Sequence, residues 1–225
     1  MSKQRAQFAE QGFCIVKQIL TSTECNRLAG LFHGHHQAGI RDLFSRFIPI
    51  RELVRSRPIR KVVDRLCGPA AFAVRAILFD KSPLSNWFVA WHQDLNIAVK
   101  EKHLHAGYGP WSVKEEIVHV CPPIEILRRM VTLRLHLDAC LENNGPLKVI
   151  PRSHKHGSLD QVKTQNLISQ IEPISCIALA GDCVVISPLI LHASSKSTNP
   201  QHRRVLHIEF ANVELPVPLQ WYERW

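Results

Sequence analysis

No two cysteines in this chain stand at Cys-x-x-Cys spacing, and the seven present are odd in number and widely scattered. A disulfide framework and a cysteine-based zinc site are therefore not expected, whereas reduced thiols in a cytoplasm are. Long hydrophobic runs are absent as well. Stretches such as Val184–Ile186 and Leu189–Leu191 fall far short of the roughly 20 residues that span a bilayer. The opening Met1-Ser2-Lys3-Gln4-Arg5 leads into polar residues without an apolar signal core, so neither secretion nor a membrane partner is expected. The chain has no run of five like charges, no internal repeat, no low-complexity tract and no Gly/Ser linker. With 10 glycines, 14 prolines, 45% hydrophobic and 21% charged residues, it is neither disordered, collagen-like nor a coiled coil.

What is present is a 225-residue chain, long enough to bury a substantial core. Lys and Arg total 28 against 19 Asp and Glu, a net charge of +9, with 13 histidines beside it. A basic balance suits anionic partners, whether nucleic acid, a membrane surface or small acids, and its dispersion does not choose among them. Neither a basic cluster nor a base-stacking motif supports nucleic acid. Thirteen histidines are the more pointed excess, because they raise the question of a metal.

Residues 2–11 read as a short helix ending at Gly12, followed by a strand at Phe13-Cys14-Ile15-Val16. Thr21-Ser22-Thr23-Glu24 resembles a helix N-terminal cap ahead of Cys25 to Phe32, and Pro58 suits the first residue of a helix running to Leu66 and closed by Gly68. From about residue 71 the pattern changes to short β-like runs at 71–80, 87–93, 130–138, 146–151, 174–178, 182–191 and 203–211. Strands after a helical lead predict one mainly β domain, a sandwich or barrel with helices on one side. Its parts are a lead over about 1–70, a core over about 71–211 and a tail over 212–225. The stretch 95–128 is long for a connection and is expected to be an ordered excursion, in the manner of a lid or binding loop.

His33-Gly34-His35-His36, His103 with His105, and His154 with His156 have no acidic or thiol neighbour at ligand spacing, and a solvated or hydrogen-bonded histidine is the expectation for each. Two His-x-Asp tripeptides remain, His92-Gln93-Asp94 and His136-Leu137-Asp138. In an extended chain residues i and i+2 share a side, so either tripeptide brings an imidazole and a carboxylate to one point. A second histidine from a distant strand would complete a facial triad, whose open positions suit a non-haem iron(II). His136 lies in a strict alternation with Val131, Leu133, Leu135 and Leu137 on one face and Thr132, Arg134, His136 and Asp138 on the other. His92-Gln93-Asp94 closes an aromatic strand and opens the long excursion, which is the better place for a metal; spacing leaves both open.

Trp91-His92-Gln93-Asp94, Asn144-Gly145-Pro146-Leu147-Lys148-Val149-Ile150-Pro151, Ser153-His154, Gly181-Asp182 and Leu191-His192-Ala193-Ser194 occur in that order. Together, from about residue 8 to 211, they resemble the phytanoyl-CoA dioxygenase family of iron(II)/2-oxoglutarate oxygenases. The resemblance implies a double-stranded β-helix, a cupin-like jelly roll, with flanking N-terminal helices. It implies His92, Asp94 and His192 as iron ligands, Arg203 as the clamp on the far carboxylate of 2-oxoglutarate, and Ser194 as a hydroxyl assisting it. Alternation in 203–210 agrees, setting Arg204, Leu206, Ile208 and Phe210 towards the helices and Arg203, Val205, His207 and Glu209 towards the opposite wall. A planar guanidinium suits a carboxylate because it donates two parallel hydrogen bonds. Lys81 is a further candidate for charge at the co-substrate or substrate, and Trp87, Trp91, Tyr108, Trp111 and His136 are candidate walls of the substrate pocket. One departure is Arg152, where the family commonly carries glycine in Pro-Gly-Ser-His. If that glycine serves a positive φ, strain or a different turn is expected there.

The implied reaction is hydroxylation of a small-molecule substrate by O2, with 2-oxoglutarate decarboxylated to succinate and CO2. Asp94 favours hydroxylation, since related halogenases lack this carboxylate. The rival readings are a non-catalytic jelly-roll binding protein with a degenerate site, a basic nucleic-acid module, and a zinc hydrolase built on His154 and His156.

Overall fold

The computed structural model describes residues 3–35, 37–198 and 201–225. Helix α1 (Lys3–Gln11) leads through Gly12 into β1 (Phe13–Val16). Helix α2 (Ser22–Gly30) begins at the capping box read from sequence. The Thr21 hydroxyl accepts the Glu24 N–H at 3.2 Å, and the Glu24 carboxylate accepts the Thr21 N–H at 2.7 Å. Then come β2 (Gly39–Ile40), α3 (Leu43–Arg46), α4 (Ile48–Arg55) and α5 (Arg57–Leu66), the last two with Pro49 and Pro58 in their first turns. The β region comprises β3 (Phe72–Lys81), β4 (Val89–His92), β5 (Ile97–Val99), β6 (Trp111–Lys114), β7 (Ile117–Val120), β8 (Met130–His136), β9 (Leu147–Val149), β10 (Ile174–Cys176), β11 (Cys183–Ile186), β12 (His192–Ser194) and β13 (Arg203–Ala211). Within it lie α6 (Ile124–Leu127) and α7 (Gln161–Gln170). No helix among the described residues is long and apolar enough to cross a membrane.

The strands form a jelly roll. An antiparallel sheet in the order β1-β11-β8-β13-β3-β2 faces a smaller one in the order β10-β9-β12-β4. The outer face of the larger sheet carries the alternate apolar residues that the sequence offered: Val131, Leu133 and Leu135 of β8, and Leu206, Ile208 and Phe210 of β13. These bury against Leu28, Phe44, Ile50, Ile59 and Val63 of the helices. Between the sheets, Phe13, Val184 and Ile186 meet Leu147, Val149 and Cys176 at one end, while the polar inner residues of β3, β8 and β13 face the other.

Register places those inner residues in rows. Arg203 stands opposite Lys81; Val205 opposite Phe79 and His136; His207 opposite Ile77 and Arg134; Glu209 opposite Arg75 and Thr132. All these positions alternate with the helix-facing set, so one strand's period of two supplies both the core and the interior of the barrel.

One expectation is corrected. The run read at 182–191 is a strand only over β11, since Ser187-Pro188 turns the chain and the residues to Leu191 lead into β12 in the other sheet. Residues 95–128 are an ordered excursion, as expected, and carry a third antiparallel sheet, β5-β7-β6. Ile97, Val99 and Val120 there bury against Leu215, Leu219 and Trp221 of the tail. Arg152 does adopt the left-handed conformation its glycine counterpart would favour, φ 68°, at a cost of about 1–2 kcal/mol. Its N–H donates to Gln11 O at 2.9 Å and its guanidinium pairs with Glu10 at 3.2 Å, so the strain stays in the contact with α1.

Candidate metal centre and co-substrate pocket

β4 and β12 pair so that His92 and His192 lie directly opposite, and their ring centroids are 4.2 Å apart. Asp94, two residues past His92, is turned to the same side, and its N–H is anchored on Pro188 O at 2.9 Å, in the turn that precedes β12. Gln93 points the other way and ties loops together: its amide donates to Gly157 O at 2.8 Å and Leu189 O at 2.5 Å and accepts the Leu159 N–H at 2.8 Å. The His-x-Asp pattern thus divides its work, the outer residues serving the site and the middle one holding it.

Each imidazole is oriented through Nδ1. That of His92 meets Ala90 O at 2.8 Å and that of His192 meets Ile190 O at 2.9 Å. A carbonyl only accepts, so both rings donate from Nδ1 and turn Nε2 towards Asp94. Those two nitrogens each lie 3.7 Å from a carboxylate oxygen of Asp94, too long for hydrogen bonds. Asp94 Oδ2 is buried with no hydrogen-bond partner. Burial pushes His192 down to about 4, against the pull of Asp94, so the ring is neutral at pH 7. Burial would raise the Asp94 carboxyl, but the imidazoles of His192, His207 and His92 and the Arg75 guanidinium hold it well below the usual carboxylate range. Two imidazole Nε2 atoms and an ionised carboxylate converging without bonding one another fit a divalent cation of the first transition row. Among the described residues these three are the one group of His, Cys, Asp and Glu donors close enough to share an ion, all within 4.8 Å.

One end of the adjoining cavity is cationic. Arg203 at the start of β13 and Lys81 at the end of β3 are opposed across the strand pair, with 2% and 0% exposure. The Lys81 ammonium donates to Ser194 Oγ at 2.8 Å and to Ser195 O. Burial, reinforced by the charge of Arg203, lowers Lys81 to about 7. Arg203 donates to Gly145 O at 3.3 Å, and its Nε is buried without a partner. Gly145 is in the left-handed region at φ 59°, and a Cβ there would come within 2.5 Å of Ser195 O and 3.2 Å of Lys81 Nζ, so glycine is required beside this cluster. Two buried like charges side by side with few partners call for an anion. The cavity has a volume of about 260 Å³, with Phe79, Trp87, Val89 and Leu147 as its apolar walls.

Of the residues expected at the site, His92, Asp94, His192, Ser194, Arg203 and Trp87 line this cavity, and Lys81 lies beneath Ser194. Four do not line it. Trp91 precedes His92 on β4 and, by alternation, faces away. Tyr108 and Trp111 pack on the apolar cluster of the third sheet. His136 is buried in its row with neither ring nitrogen partnered, and burial together with Arg134 and Arg203 pushes it down to about 3. Its companion Asp138 instead accepts from Arg204, at 2.8 Å from both the backbone N–H and Nε and at 2.7 Å from Nη2. His154 Nε2 donates to Ala9 O at 3.2 Å and the ring packs on Gly12, a structural role; His36 lies outside the described residues. The Gly181-Asp182 motif is structural too, the buried Asp182 carboxylate accepting from Lys17 and from the N–H groups of Gln18 and Leu179, each at 2.9 Å.

Sequence reasoning gave no role to Arg134 and His207, yet both line the cavity. Arg134 Nη1 lies 3.0 Å from His207 Nδ1, and His207 Nε2 lies 3.1 Å from Glu209 Oε1, which also accepts from Arg75 Nε at 2.9 Å. The alternation of β8 and β13 already set both on the inner face, which was the available signal.

Fold and site together define a jelly-roll protein with a His-x-Asp…His facial-triad metal centre beside a cationic pocket. The model of the phytanoyl-CoA dioxygenase family matches residues 8–205, and the chain belongs to that family of 2-oxoglutarate-dependent non-haem iron enzymes. No individually curated protein sequence gives a significant match. Among solved structures, apo EctD from S. alaskensis is 18% identical with a TM-score of 0.74, covering 97% of this chain and 80% of its own. The epimerase SnoN, in a complex described as holding Fe3+, alpha-ketoglutarate and nogalamycin RO, is 14% identical with a TM-score of 0.73, covering 93% and 82%. AviO1 from Streptomyces viridochromogenes Tue57 is 19% identical with a TM-score of 0.67, covering 95% of each chain. At these identities the likeness is one of fold.

Proposed function

We propose that this protein is an iron(II)- and 2-oxoglutarate-dependent dioxygenase that hydroxylates a small molecule and releases succinate and CO2. The observation that carries the reading is the convergence of His92 Nε2, Asp94 and His192 Nε2 beside the buried Arg203–Lys81 pair. His92, Asp94 and His192 hold the metal, which when bound supplies the centre at which O2 is activated. Arg203 receives the far carboxylate of 2-oxoglutarate, with Ser194 and Lys81 completing the polar end. The backbone carbonyls of Ala90 and Ile190 keep both imidazoles in the ligating tautomer. Phe79, Trp87, Val89 and Leu147 exclude water, which strengthens each charge interaction within the cavity. EctD has been crystallised with 2-oxoglutarate and 5-hydroxyectoine, so this fold accommodates a co-substrate together with a small product. Seven unpaired cysteines, five of them buried, fit work in a reducing cytoplasm.

The test is succinate formation from 2-oxoglutarate by protein loaded anaerobically with iron(II) and then exposed to O2, with and without a panel of small molecules. Iron-dependent succinate that vanishes in Asp94→Ala supports the reading. Tight iron binding with no turnover under any condition would identify a non-catalytic binding protein instead.

A further inference from the structure

Three charged side chains line the cavity; Asp94 and Arg203 have work in the proposed chemistry, and Arg134 has none. Arg134 is 7% exposed, its one hydrogen bond runs from Nη1 to His207 Nδ1, and its Nε is buried without a partner. Arginine stays charged and only donates, so His207 Nδ1 is the acceptor and the ring proton sits on Nε2, donated to Glu209. His207 is thus held neutral and supplies no counter-charge. Glu209 is matched by Arg75, which donates to it through both Nε and Nη2. The Arg134 guanidinium faces the cavity with no anion in contact.

Its place is also distinct from that of Arg203. The bond to His207 fixes the guanidinium in the row of His207 and Ile77. Arg203 begins the row of Lys81, four residues earlier on β13, which sets the two rows about 13 Å apart along the backbone, although the long side chains bring the two guanidiniums near enough to repel. The row of Phe79, Val205 and His136 lies between them. In the loaded site, iron(II), the Asp94 carboxylate, the 2-oxoglutarate dianion and Arg203 cancel in charge; Lys81, bonded to Ser194 and Ser195, and Arg134 are the cations left over. A buried cation without a counter-ion weakens the fold, and a ligand that brings the missing charge relieves that cost.

We propose that the substrate carries an oxyanion, a carboxylate or phosphate, that docks on Arg134 within the cavity; this rests on the dioxygenase reading above. Arg134 is then a specificity-determining residue, one charge-assisted contact that selects acids over neutral analogues. Phe79, Trp87, Val89 and Leu147 suit an apolar stem between the acid and the reacting carbon. A cavity of about 260 Å³ shared with the co-substrate admits only a small molecule or the anionic end of a larger one.

The experiment loads the protein anaerobically with iron(II) and 2-oxoglutarate and titrates it calorimetrically with molecules matched except for charge. Carboxylic acids are set against their primary amides, and phosphate monoesters against their parent alcohols. At least one anion is expected to bind tenfold or more tightly than its neutral partner, and the two arms tell carboxylate from phosphate. Arg134→Gln, which keeps a donor for His207, is expected to lower that anion's affinity about tenfold to a hundredfold. If Arg134→Gln gives no cooperative thermal transition, Arg134→Lys takes its place with a smaller loss, since lysine keeps the charge but not the paired donors. Absence of any anion preference in the wild type, or its survival in the variant, overturns the proposal. So does a tenfold weaker 2-oxoglutarate affinity in the variant, which would assign Arg134 to the co-substrate. A wild type that binds no 2-oxoglutarate at all refutes the dioxygenase reading and this proposal together.

Discussion

Replacing Arg203 by methionine should stabilise the protein in the absence of co-substrate while removing its hold on 2-oxoglutarate. The guanidinium is 2% exposed, stands opposite Lys81, has a buried Nε without a partner, and reaches Gly145 O only at 3.3 Å. A buried polar group without a partner costs about 1–3 kcal/mol. Methionine fills similar space without that penalty and removes one of two adjacent cations. The ligand-free variant should therefore gain about 1–3 kcal/mol, each kcal/mol raising the melting midpoint by about 2–4 °C in a domain of this size. Loss of a buried partner costs a charged ligand about 3–5 kcal/mol, an affinity drop of roughly a hundredfold to several thousandfold. The assay is thermal unfolding of the metal-loaded protein with and without 2-oxoglutarate. At a hundred times its Kd the ligand should stabilise the wild type by about 2.7 kcal/mol and the variant by almost nothing. The reasoning fails if Arg203→Met loses more than 2 kcal/mol without ligand or keeps the ligand-induced shift, since either would make Arg203 a structural residue.

Two more outcomes follow from the same neighbourhood. Asp138→Ala removes three hydrogen bonds from Arg204 and should cost about 1–3 kcal/mol in denaturant unfolding while leaving the KM for 2-oxoglutarate unchanged; a raised KM would place Asp138 in the site after all. Lys81, lowered to about 7 by burial and Arg203, is more readily protonated in the unfolded chain, whose lysines titrate near 10.4. The unfolded state thus binds more protons between about pH 7 and 10, and stability should rise with pH across that window; Lys81→Met should flatten the rise. An anion bound beside Lys81 favours its charged form, so 2-oxoglutarate binding at pH 8 should take up a proton and weaken as pH rises. Calorimetry in buffers of different ionisation heat measures that uptake, and none is expected in Lys81→Met.

The parts of the fold legible in the sequence were those that repeat with period two. The alternation in β8 and β13 separated helix-facing Leu133, Leu135, Leu206 and Ile208 from interior Arg134, His136, Arg203 and His207, and the structure keeps that division. The same rule sets Trp91 away from His92, and grouping all nearby aromatics as pocket walls overlooked it. The third sheet was not legible because its reason is non-local: Ile97, Val99 and Val120 are apolar for the sake of Leu215 and Trp221, about a hundred residues on. The two His-x-Asp tripeptides look alike in sequence. What separates them is a partner strand, since β12 brings His192 opposite His92, whereas Asp138 has Arg204 beside it.

The central claim, that His92, Asp94 and His192 are the metal ligands, is tested most directly by anaerobic iron(II) titration of His92→Ala and His136→Ala beside the wild type. One iron per chain is expected in the wild type and in His136→Ala, with binding lost in His92→Ala. Iron retained by His92→Ala and lost by His136→Ala would contradict the account.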